Sequence, residues 1–162
     1  HSGVVTVTLN SKRLKDMGLT QTSVFLGAFP GDRVSHEKEL EVSAVLLPKF
    51  DNLTASQLAN APRMNLSTTE LNLGAFNGKK KLKGEIIIRN DGKNMLKIKN
   101  LQMFTVGLQV SLNKQNLKPG ETAKLKITAE QRQLKNARSK PRVLMITNDP
   151  NLPKVTIKII TE

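Results

Sequence analysis

Residues 82–101 carry the pattern that decides the fold, and they read Leu-Lys-Gly-Glu-Ile-Ile-Ile-Arg-Asn-Asp-Gly-Lys-Asn-Met-Leu-Lys-Ile-Lys-Asn-Leu. Apolar residues alternate with polar residues on both sides of the break at Asn90-Asp91-Gly92. Such alternation is typical of strands that bury one face, and Asn, Asp and Gly tolerate the positive φ angles of turns. This stretch therefore predicts two β-strands, Leu82–Asn90 and Met95–Leu101, joined by a turn.

Strand and turn signals recur at short spacing on both sides of this stretch, from residue 63 onward. Pro119-Gly120 fits the centre of a type II turn, and Asn148-Asp149-Pro150-Asn151 closes the last predicted hairpin. Short strands separated by turns favour an antiparallel sandwich over alternating strands and helices. The predicted class is all-β, an immunoglobulin-like antiparallel β-sandwich with these further strands: Met64–Leu66, Glu70–Phe76, Val106–Leu112, Thr122–Ala129, Arg142–Asn148 and Val155–Ile160.

The first part of the chain predicts three more strands, at Val4–Leu9, Thr22–Phe29 and Lys38–Leu47. The segment Val4–Leu47 can be aligned with Thr122–Thr161, because both contain the same order of predicted elements. Each has an alternating strand, a polar loop, a middle strand, a Pro-containing turn and a final alternating strand. Residues 1–47 are therefore predicted to be the C-terminal strands of an incomplete immunoglobulin-like domain. A chain that opens in mid-strand also predicts a mature or truncated piece of a longer protein.

The segment between these two parts carries a helix start signal. Thr54-Ala55-Ser56-Gln57 has the spacing of a capping box, in which the Thr hydroxyl accepts from the Gln amide and the Gln side chain reaches back. Pro62 stops the helix, because proline lacks an amide hydrogen. The predicted organisation is residues 1–47 as the partial domain, 48–62 as a linker with a short helix, and 63–162 as a complete sandwich.

Composition excludes several classes of site. The 162 residues contain no Cys, Trp or Tyr, so the chain has no disulfide, no thiolate nucleophile and no cysteine-ligated zinc. The core has to be built from Leu, Ile and Val. No apolar run approaches the roughly 20 residues that span a bilayer, and the sequence shows no signal-peptide pattern.

Candidate catalytic and metal-binding residues are few. His1 is terminal, and His36 lies in a charged stretch without a Ser or Cys partner, so neither predicts a catalytic base. Glu37, Glu39 and Glu41 alternate along one predicted strand, but carboxylates at that spacing without a Gly-rich loop make a weak calcium cage. The sequence therefore predicts no enzyme activity, no cofactor and no metal site.

The net charge of +13 falls in one part of the chain. Residues 1–61 hold six basic and six acidic side chains out of totals of 26 and 13, so the whole excess lies in residues 62–162. Lysines on exposed strands either protect sheet edges against pairing or contact an acidic partner. The candidate contact residues are Lys79, Lys80, Lys81, Lys83, Lys97, Lys99, Lys124 and Lys126.

The aromatic residues argue against nucleic acid as the partner of this basic part. Single-strand binders stack bases on aromatic rings, and residues 62–162 offer only Phe76 and Phe104, both in apolar contexts typical of a core. Electrostatic contact with an anionic surface stays open as an alternative.

Three stretches of the chain form a set: Phe50 to Pro62, a Phe-Asp-x-Leu-Thr-x-x-Gln linker ending in Ala-Pro; Leu117-Lys118-Pro119-Gly120-Glu121; and Thr147-Asn148-Asp149-Pro150 with Leu152-Pro153. Together they resemble the bacterial family known as domain of unknown function fifteen seventy-three, a Hydin-like immunoglobulin module often found in tandem in Bacteroidetes. The resemblance covers most of the chain. It implies a scaffold in a periplasmic, outer-membrane-associated or secreted setting.

The chain departs from that family at one place. Members usually carry Ser-Cys-Gly-Cys-Thr before the Pro-Gly-Glu turn, and the matching stretch here is Thr105-Val106-Gly107-Leu108-Gln109. Both cysteine positions are aliphatic, so no role of those cysteines carries over. Along a strand Val106 and Leu108 point to one side, which we predict to be core.

The leading functional hypothesis is a non-catalytic structural or protein-interaction module of the bacterial cell envelope, whose partner is a protein or envelope component of unspecified identity. The alternative is a binder of an acidic polymer or an anionic surface through the basic second domain. The sequence leaves the oligomeric state open.

Overall fold

The computed structural model describes residues 3–14, 17–137 and 140–162. The chain divides into two compact units, residues 1–46 and 47–162. Among the described residues regular structure is mostly β-strand, which confirms the predicted all-β class. No helix among them is long and apolar enough to cross a membrane.

The first unit contains one antiparallel hairpin. Strand β1 (Gly18–Phe25) pairs with β2 (Glu39–Leu46), from Gly18 opposite Leu46 to Phe25 opposite Glu39. Short 3-10 helices lie before the two strands, at Ser11–Arg13 and His36–Lys38. Two of the three strands predicted for this part of the chain therefore have counterparts, but β1 begins and ends four residues earlier than the predicted Thr22–Phe29.

The third predicted strand, Val4–Leu9, is a correction: residues 3–10 belong to no sheet. Val4 is 95% exposed and Val7 is 44% exposed. Alternation favours an extended backbone, but a strand also needs a neighbour for its amides and carbonyls and a core for its apolar side chains. Among the described residues of this unit only Gly18 is buried, so the unit offers these valines no core.

The second unit is a sandwich of two sheets. One sheet has the strand order β3-β5-β9-β7, and the other has the order β4-β11-β10-β6-β8. Pairings between described strands are antiparallel, except that β4 runs parallel to β11. The strands are β3 (Met64–Leu66), β4 (Glu70–Asn72), β5 (Lys81–Asn90), β6 (Leu96–Met103), β7 (Leu108–Leu112), β8 (Asn116–Leu117), β9 (Thr122–Glu130), β10 (Arg142–Thr147) and β11 (Lys154–Ile160).

An aliphatic core lies between the two sheets, as the composition requires. In β5, for example, Ile86 and Ile88 are fully buried while Glu85 is exposed, because successive side chains point to opposite faces. Full burial of one such side chain stabilises the fold by about 1.5–3 kcal/mol. Strand β10 is buried on both faces, since Leu144 and Ile146 are 1% and 0% exposed although they lie outside the core cluster.

The predicted capping box is confirmed at the start of helix α1 (Ala55–Ala59). The hydroxyl of Thr54 accepts the Gln57 amide at 3.2 Å, and the Thr54 amide donates to the side-chain oxygen of Gln57 at 2.9 Å. The helix ends before Pro62, as predicted. In the structure this segment is part of the second compact unit.

Each predicted strand after residue 62 has a counterpart, but three (β4, β7 and β10) are shorter than predicted. The strand predicted to reach Phe76 ends at Asn72, ahead of the positive φ angles at Gly74 and Asn77. Two short elements give too few residues for a periodic signal, and the sequence did not reveal them. They are β8 and the helix α2 (Gln131–Leu134).

Candidate functional site

One end of the sandwich brings together parts of all three stretches that carry the family resemblance. We call residues 61–63, 90–92, 118–121 and 147–151 the turn cluster. The strand ends place them there, because β3 begins opposite the end of β5, and β9 begins opposite the same end. Because the sequence motifs meet here, this cluster is the candidate site. The contacts of its side chains show whether they are available to a ligand or are used to hold the fold.

Asp149 is the buried carboxylate of the turn cluster, with no exposed surface. Its Oδ2 accepts the backbone amide of Met64 at 2.7 Å, and its Oδ1 accepts the amide of Asn151 at 2.9 Å. The Asp149 amide donates to the hydroxyl of Thr147 at 3.1 Å, and that hydroxyl donates to the Leu152 carbonyl at 2.8 Å. The carboxylate therefore closes the β10–β11 turn and also holds the first strand of the sandwich.

Asn90 is the second buried polar residue of the cluster, and it is also fully buried. Its Oδ1 accepts the amides of Arg63 and Gly92 at 3.3 and 3.0 Å. Its Nδ2 donates to the carbonyls of Asn94 and Leu117 at 2.8 and 2.9 Å. An asparagine amide can make two bonds at each end, so this side chain is fully satisfied by backbone groups.

The neighbouring motif residues act in the same way. Asn148 accepts the Lys97 amide at 2.7 Å and donates to the Met95 carbonyl at 3.0 Å, which ties the last hairpin to β6. Glu121 accepts the Lys118 amide at 2.9 Å across the Pro-Gly turn. This hydrogen bond is the main cause that lowers the pKa of the Glu121 carboxyl below its ordinary value, with further help from Lys114.

Two glycines of the cluster have different reasons to be glycine. Gly120 has φ 78°, and the Glu121 amide donates to the Lys118 carbonyl at 3.0 Å, which confirms the predicted type II turn. Gly92 was predicted for a turn with positive φ, and this is wrong, because its φ is not positive. A Cβ at Gly92 would lie 2.3 Å from the Arg63 nitrogen and 2.4 Å from the Ala61 oxygen. Close approach of the linker backbone therefore requires glycine here.

Hydrogen bonding inside the protein accounts for the polar groups of the turn cluster. Every buried side-chain nitrogen or oxygen among the described residues has a hydrogen-bond partner. No group of three or more carboxylate, imidazole or thiol side chains in the described part of the chain is placed to hold a metal ion. The buried side chains of Asn90 and Asp149 therefore hold the turns of the sandwich together.

The candidate lysines divide between the two sheets. Lys79 and Lys80 lie in the turn before β5, and Lys81 and Lys83 lie on β5 itself. Lys124 and Lys126 are on β9, on the same outer face as Lys83, whereas Lys97 and Lys99 are on β6 in the other sheet. All eight side chains are exposed, as predicted.

Edge protection does not explain the lysines of β5 and β9. Both strands have a neighbour on each side in the order β3-β5-β9-β7, so neither is an edge of the sheet. Two of these lysines form ion pairs across the strands, Lys81 with Glu130 at 2.5 Å and Lys124 with Glu85 at 3.4 Å. Lys83 and Lys126 have no ion-pair partner among the described residues, and both line a shallow depression on this face.

The opposite end of the sandwich contains the stretch that matches the Cys-Gly-Cys position. Leu108 is 5% exposed, in agreement with the prediction that it is core. Val106 is 75% exposed, so the prediction is wrong for this residue. Gly107 separates the two with φ 100°, which turns the backbone before β7 begins and breaks the alternation that the prediction assumed.

Val106 borders a pocket of about 610 Å³ whose other walls are Phe104, Thr105, Arg132, Gln133, Asn136 and Ala137. The guanidinium of Arg142 lies 4.7 Å from the centre of the Phe104 ring. Among the described residues, the lining includes no carboxylate and no imidazole side chain. Sequence reasoning missed the arginines because each is isolated in the sequence and only the fold places them at this end.

His36 and the acidic residues of the first unit are held by one another and by β1. The His36 Nδ1 lies 2.8 Å from a Glu39 oxygen, and Glu41 accepts the side-chain amide of Gln21 at 2.6 Å. Glu37 belongs to a 3-10 helix, so the prediction that it shares a strand face with Glu39 and Glu41 is wrong. The pKa of the Asp32 carboxyl is lowered, mainly because it accepts a hydrogen bond from Lys38.

A family model settles the classification of the second unit. The model of the HYDIN/CFA65/VesB-like Ig-like domain matches residues 62–161, well over half of the chain. The chain belongs to this family. Both sheets and nearly all of the turn cluster lie inside the HYDIN/CFA65/VesB-like Ig-like domain, whereas His36 and the acidic residues of β2 lie outside it.

A solved structure resembles the chain beyond the HYDIN/CFA65/VesB-like Ig-like domain alone. It is the crystal structure of a protein of unknown function from Porphyromonas gingivalis W83, with 25% sequence identity and a TM-score of 0.69. The similarity covers 93% of this chain and 68% of that chain. No curated protein matches the chain at a significant level.

Proposed function

We propose that this chain is a non-catalytic structural or protein-interaction module of the bacterial cell envelope. We further propose that, within the Hydin-like group, it belongs to the bacterial family known as domain of unknown function fifteen seventy-three. The envelope location rests on the resemblance of the linker, the Pro-Gly-Glu turn and the Thr-Asn-Asp-Pro turn to that family.

The observation that carries the proposal is the use of the motif residues. Asp149 of the Thr-Asn-Asp-Pro motif and Asn90 beside it in the turn cluster are fully buried, and the side chains of both bind only backbone groups of the sandwich. A catalytic residue has to reach a substrate, and these two have no exposed surface. The motifs therefore support a scaffold whose function lies in what its surface contacts.

Localisation tests the envelope part of the proposal. The parent protein, carrying an epitope tag, would be expressed in its native host and fractionated into cytosol, periplasm, membranes and medium. We expect it in an envelope fraction or in the medium, together with a known envelope marker. Recovery with a cytosolic marker would contradict the location.

Cross-linking in living cells tests the interaction part. A photo-reactive amino acid would replace exposed residues one at a time, for example Val106 or Gln109. Discrete cross-linked species that depend on position are the expected result. The same amino acid at Leu108, which is buried, is the matched control and should give none. If no exposed position of the full chain gave a cross-link, the interaction module would be the wrong description.

A further inference from the structure

Strand β7 is one edge of the four-stranded sheet, and it pairs only with β9 among the described strands. In an antiparallel pair, residues whose amides and carbonyls bond to the neighbour alternate with residues whose groups point away. The Glu130 amide donates to the Gly107 carbonyl, and the Asn113 amide donates to the Lys124 carbonyl. By the same alternation, the amides and carbonyls of Gln109 and Ser111 also bond to β9. The amides and carbonyls of Leu108, Val110 and Leu112 therefore point away from the sheet.

This edge lacks the usual devices that prevent strand pairing. Natural sheets protect their edges with charged residues, proline or bulges. From Leu101 to Asn113 the chain has no charged residue and no proline, although 24% of the whole chain is charged. The pairing of β7 with β9 runs in regular register from Leu108 to Leu112, without a bulge. The lysines that could have protected the sheet are instead on the inner strands β5 and β9.

The two sides of the β7 edge differ in chemistry. On the inner side a groove of about 440 Å³ runs between β6 and β7, and its walls combine apolar with polar side chains: Ile98, Leu101, Met103, Val110 and Leu112, and Lys99, Asn100 and Gln115. Met103 is 44% exposed, so this groove holds accessible apolar surface. On the outer face Lys126 lies opposite Ser111 in the β7–β9 register. Because serine is small, a group placed just beyond Ser111 is within reach of the long Lys126 side chain.

We propose that β7 is a strand-addition site for an extended segment of a partner protein in which apolar residues alternate with acidic residues. The backbone of the segment bonds to the amides and carbonyls of Leu108, Val110 and Leu112. Its apolar side chains enter the groove beside Met103, and its carboxylates face Lys126. The inference rests on the proposed function as an interaction module and names the surface and the partner chemistry.

Charge is the reason to prefer a partner protein over a second copy of this chain. The chain carries a net charge of +13, and strands β5, β6, β9, β10 and β11 bear lysine or arginine. Two β7 strands paired edge to edge would bring two basic sheets together and leave Lys126 without a carboxylate. A segment with alternating acidic residues supplies the opposite charge at the spacing of two residues that one face of a strand requires.

Hydrogen exchange with a defined probe tests the proposal. The probe is a short capped peptide in which Glu alternates with Val, added to the full chain. Strand addition should slow exchange at the amides of Leu108, Val110 and Leu112, whereas Gln109 and Ser111 already bond to β9 and should change little. A probe with Lys in place of Glu should bind more weakly. Binding without this alternate-residue pattern, or no binding by the Glu probe, would overturn the proposal.

Two matched substitutions at Val110 separate backbone pairing from loss of the side chain. Val110→Ala and Val110→Pro both remove the branched valine side chain, but only proline also removes the amide hydrogen that points away from β9. We expect Val110→Pro to raise the Kd of the Glu-Val probe about tenfold above that of Val110→Ala. Thermal unfolding of both variants checks that the sandwich is intact. Equal Kd values for two folded variants would exclude strand addition at β7.

If Val110→Pro does not fold, the substitution Lys126→Gln tests the proposed site instead. We expect it to raise the Kd of the Glu-Val probe about threefold, as for an exposed ion pair. Lys97→Gln makes the same charge change on the other sheet and is the matched control. Equal effects of the two substitutions would indicate general electrostatics and would overturn the specific site.

The outcomes also separate this inference from the proposed function. Cross-links in cells from other surfaces, combined with no alternate-residue protection by the probe, would leave the interaction module standing and remove β7 as its site. A dimer in light scattering that Val110→Pro converts to monomer would show that the occupant is a second copy, which contradicts the partner proposed here.

Discussion

The carboxylate of Asp149 accepts the backbone amide of Met64 at 2.7 Å, across a separation of 85 residues. Met64 opens the first strand of the sandwich, and Asp149 lies in the turn between its last two strands. One buried side chain therefore joins the beginning and the end of the second unit. It does so inside a motif that the sequence alone presents as a simple turn.

Removal of this carboxylate should destabilise the second unit. Asp149→Ala leaves the amides of Met64 and Asn151 without their acceptors in a buried site, and we expect a loss of about 3 kcal/mol in the free energy of unfolding. Asp149→Asn keeps one acceptor oxygen and should cost less. Urea unfolding measures both. Asp51→Ala, at an exposed aspartate, is the control, and an equal midpoint for Asp149→Ala and this control would contradict the structural role.

Substitution of Gly92 should be more damaging than substitution of Gly84. A Cβ at Gly92 would strike the backbone of Ala61 and Arg63, which cannot move without distorting the linker. A Cβ at Gly84 would meet only the tips of the Leu71 and Leu73 side chains, at 2.9 and 2.5 Å. We expect Gly92→Ala to cost about 3 kcal/mol and Gly84→Ala clearly less. Thermal melts of the two variants decide the order, and the reverse order would refute the close-approach explanation.

The family's cysteine positions should differ sharply in their tolerance of truncation. Leu108→Ala should cost about 2–5 kcal/mol, because it opens a cavity at a buried position of β7. Val106→Ala should change stability by less than about 0.5 kcal/mol, because this side chain is 75% exposed. Chemical denaturation measures both values. Similar losses at the two positions would mean that Val106 is buried in solution.

Stability should fall at acid pH partly through Glu121. Its pKa is lowered in the folded state, mainly by the Lys118 amide, from an ordinary value of 4.5. The folded state therefore binds the proton more weakly than the unfolded state does, so the stabilisation is complete above the ordinary pKa and is lost as pH falls through the lowered one. Glu121→Gln should make the melting temperature less dependent on pH in this range. An unchanged slope would show that Glu121 does not contribute.

The two units should differ in their ability to fold alone. Residues 47–162 contain both sheets and the core, so they should melt cooperatively without the first unit. Residues 1–46 contain one hairpin with a single buried residue among those described, and such hairpins are marginal in water. Amide NMR spectra of the two fragments test this. A dispersed spectrum from residues 1–46 would contradict it.

The strands of the core were predictable from sequence because burial repeats every second residue. Lys81–Asn90 and Thr122–Glu130 differ from their predicted ranges by one residue at an end. The same rule failed at Val4–Leu9, because alternation is a property of one segment, whereas a strand also needs a neighbouring strand to pair with. It also failed at Val106, which precedes Gly107. Gly107 shows the second limit, since its positive φ cannot be read from the residue type alone.

The sequence identified residues of the candidate site, but it did not predict what their side chains do. The sequence marked Asn90 and Asp149 as turn residues, but their bonds reach Arg63, Leu117 and Met64, and no local pattern encodes such distant partners. The lysines were correctly predicted to be exposed. Edge protection does not hold for the lysines of β5 and β9, because the strand order that places these two strands inside the sheet depends on pairings between distant segments.

The direction of β11 has a mechanical consequence. The chain enters the sandwich at the turn cluster through Met64, and β11 starts near that same end and leaves at the opposite one. A tensile force between the two ends of the unit would pull β11 along its own axis, between its neighbours β10 and β4. Such loading shears all the ladder hydrogen bonds at once, whereas peeling breaks them one at a time. This geometry therefore predicts high mechanical resistance to a force applied between the two ends of the unit.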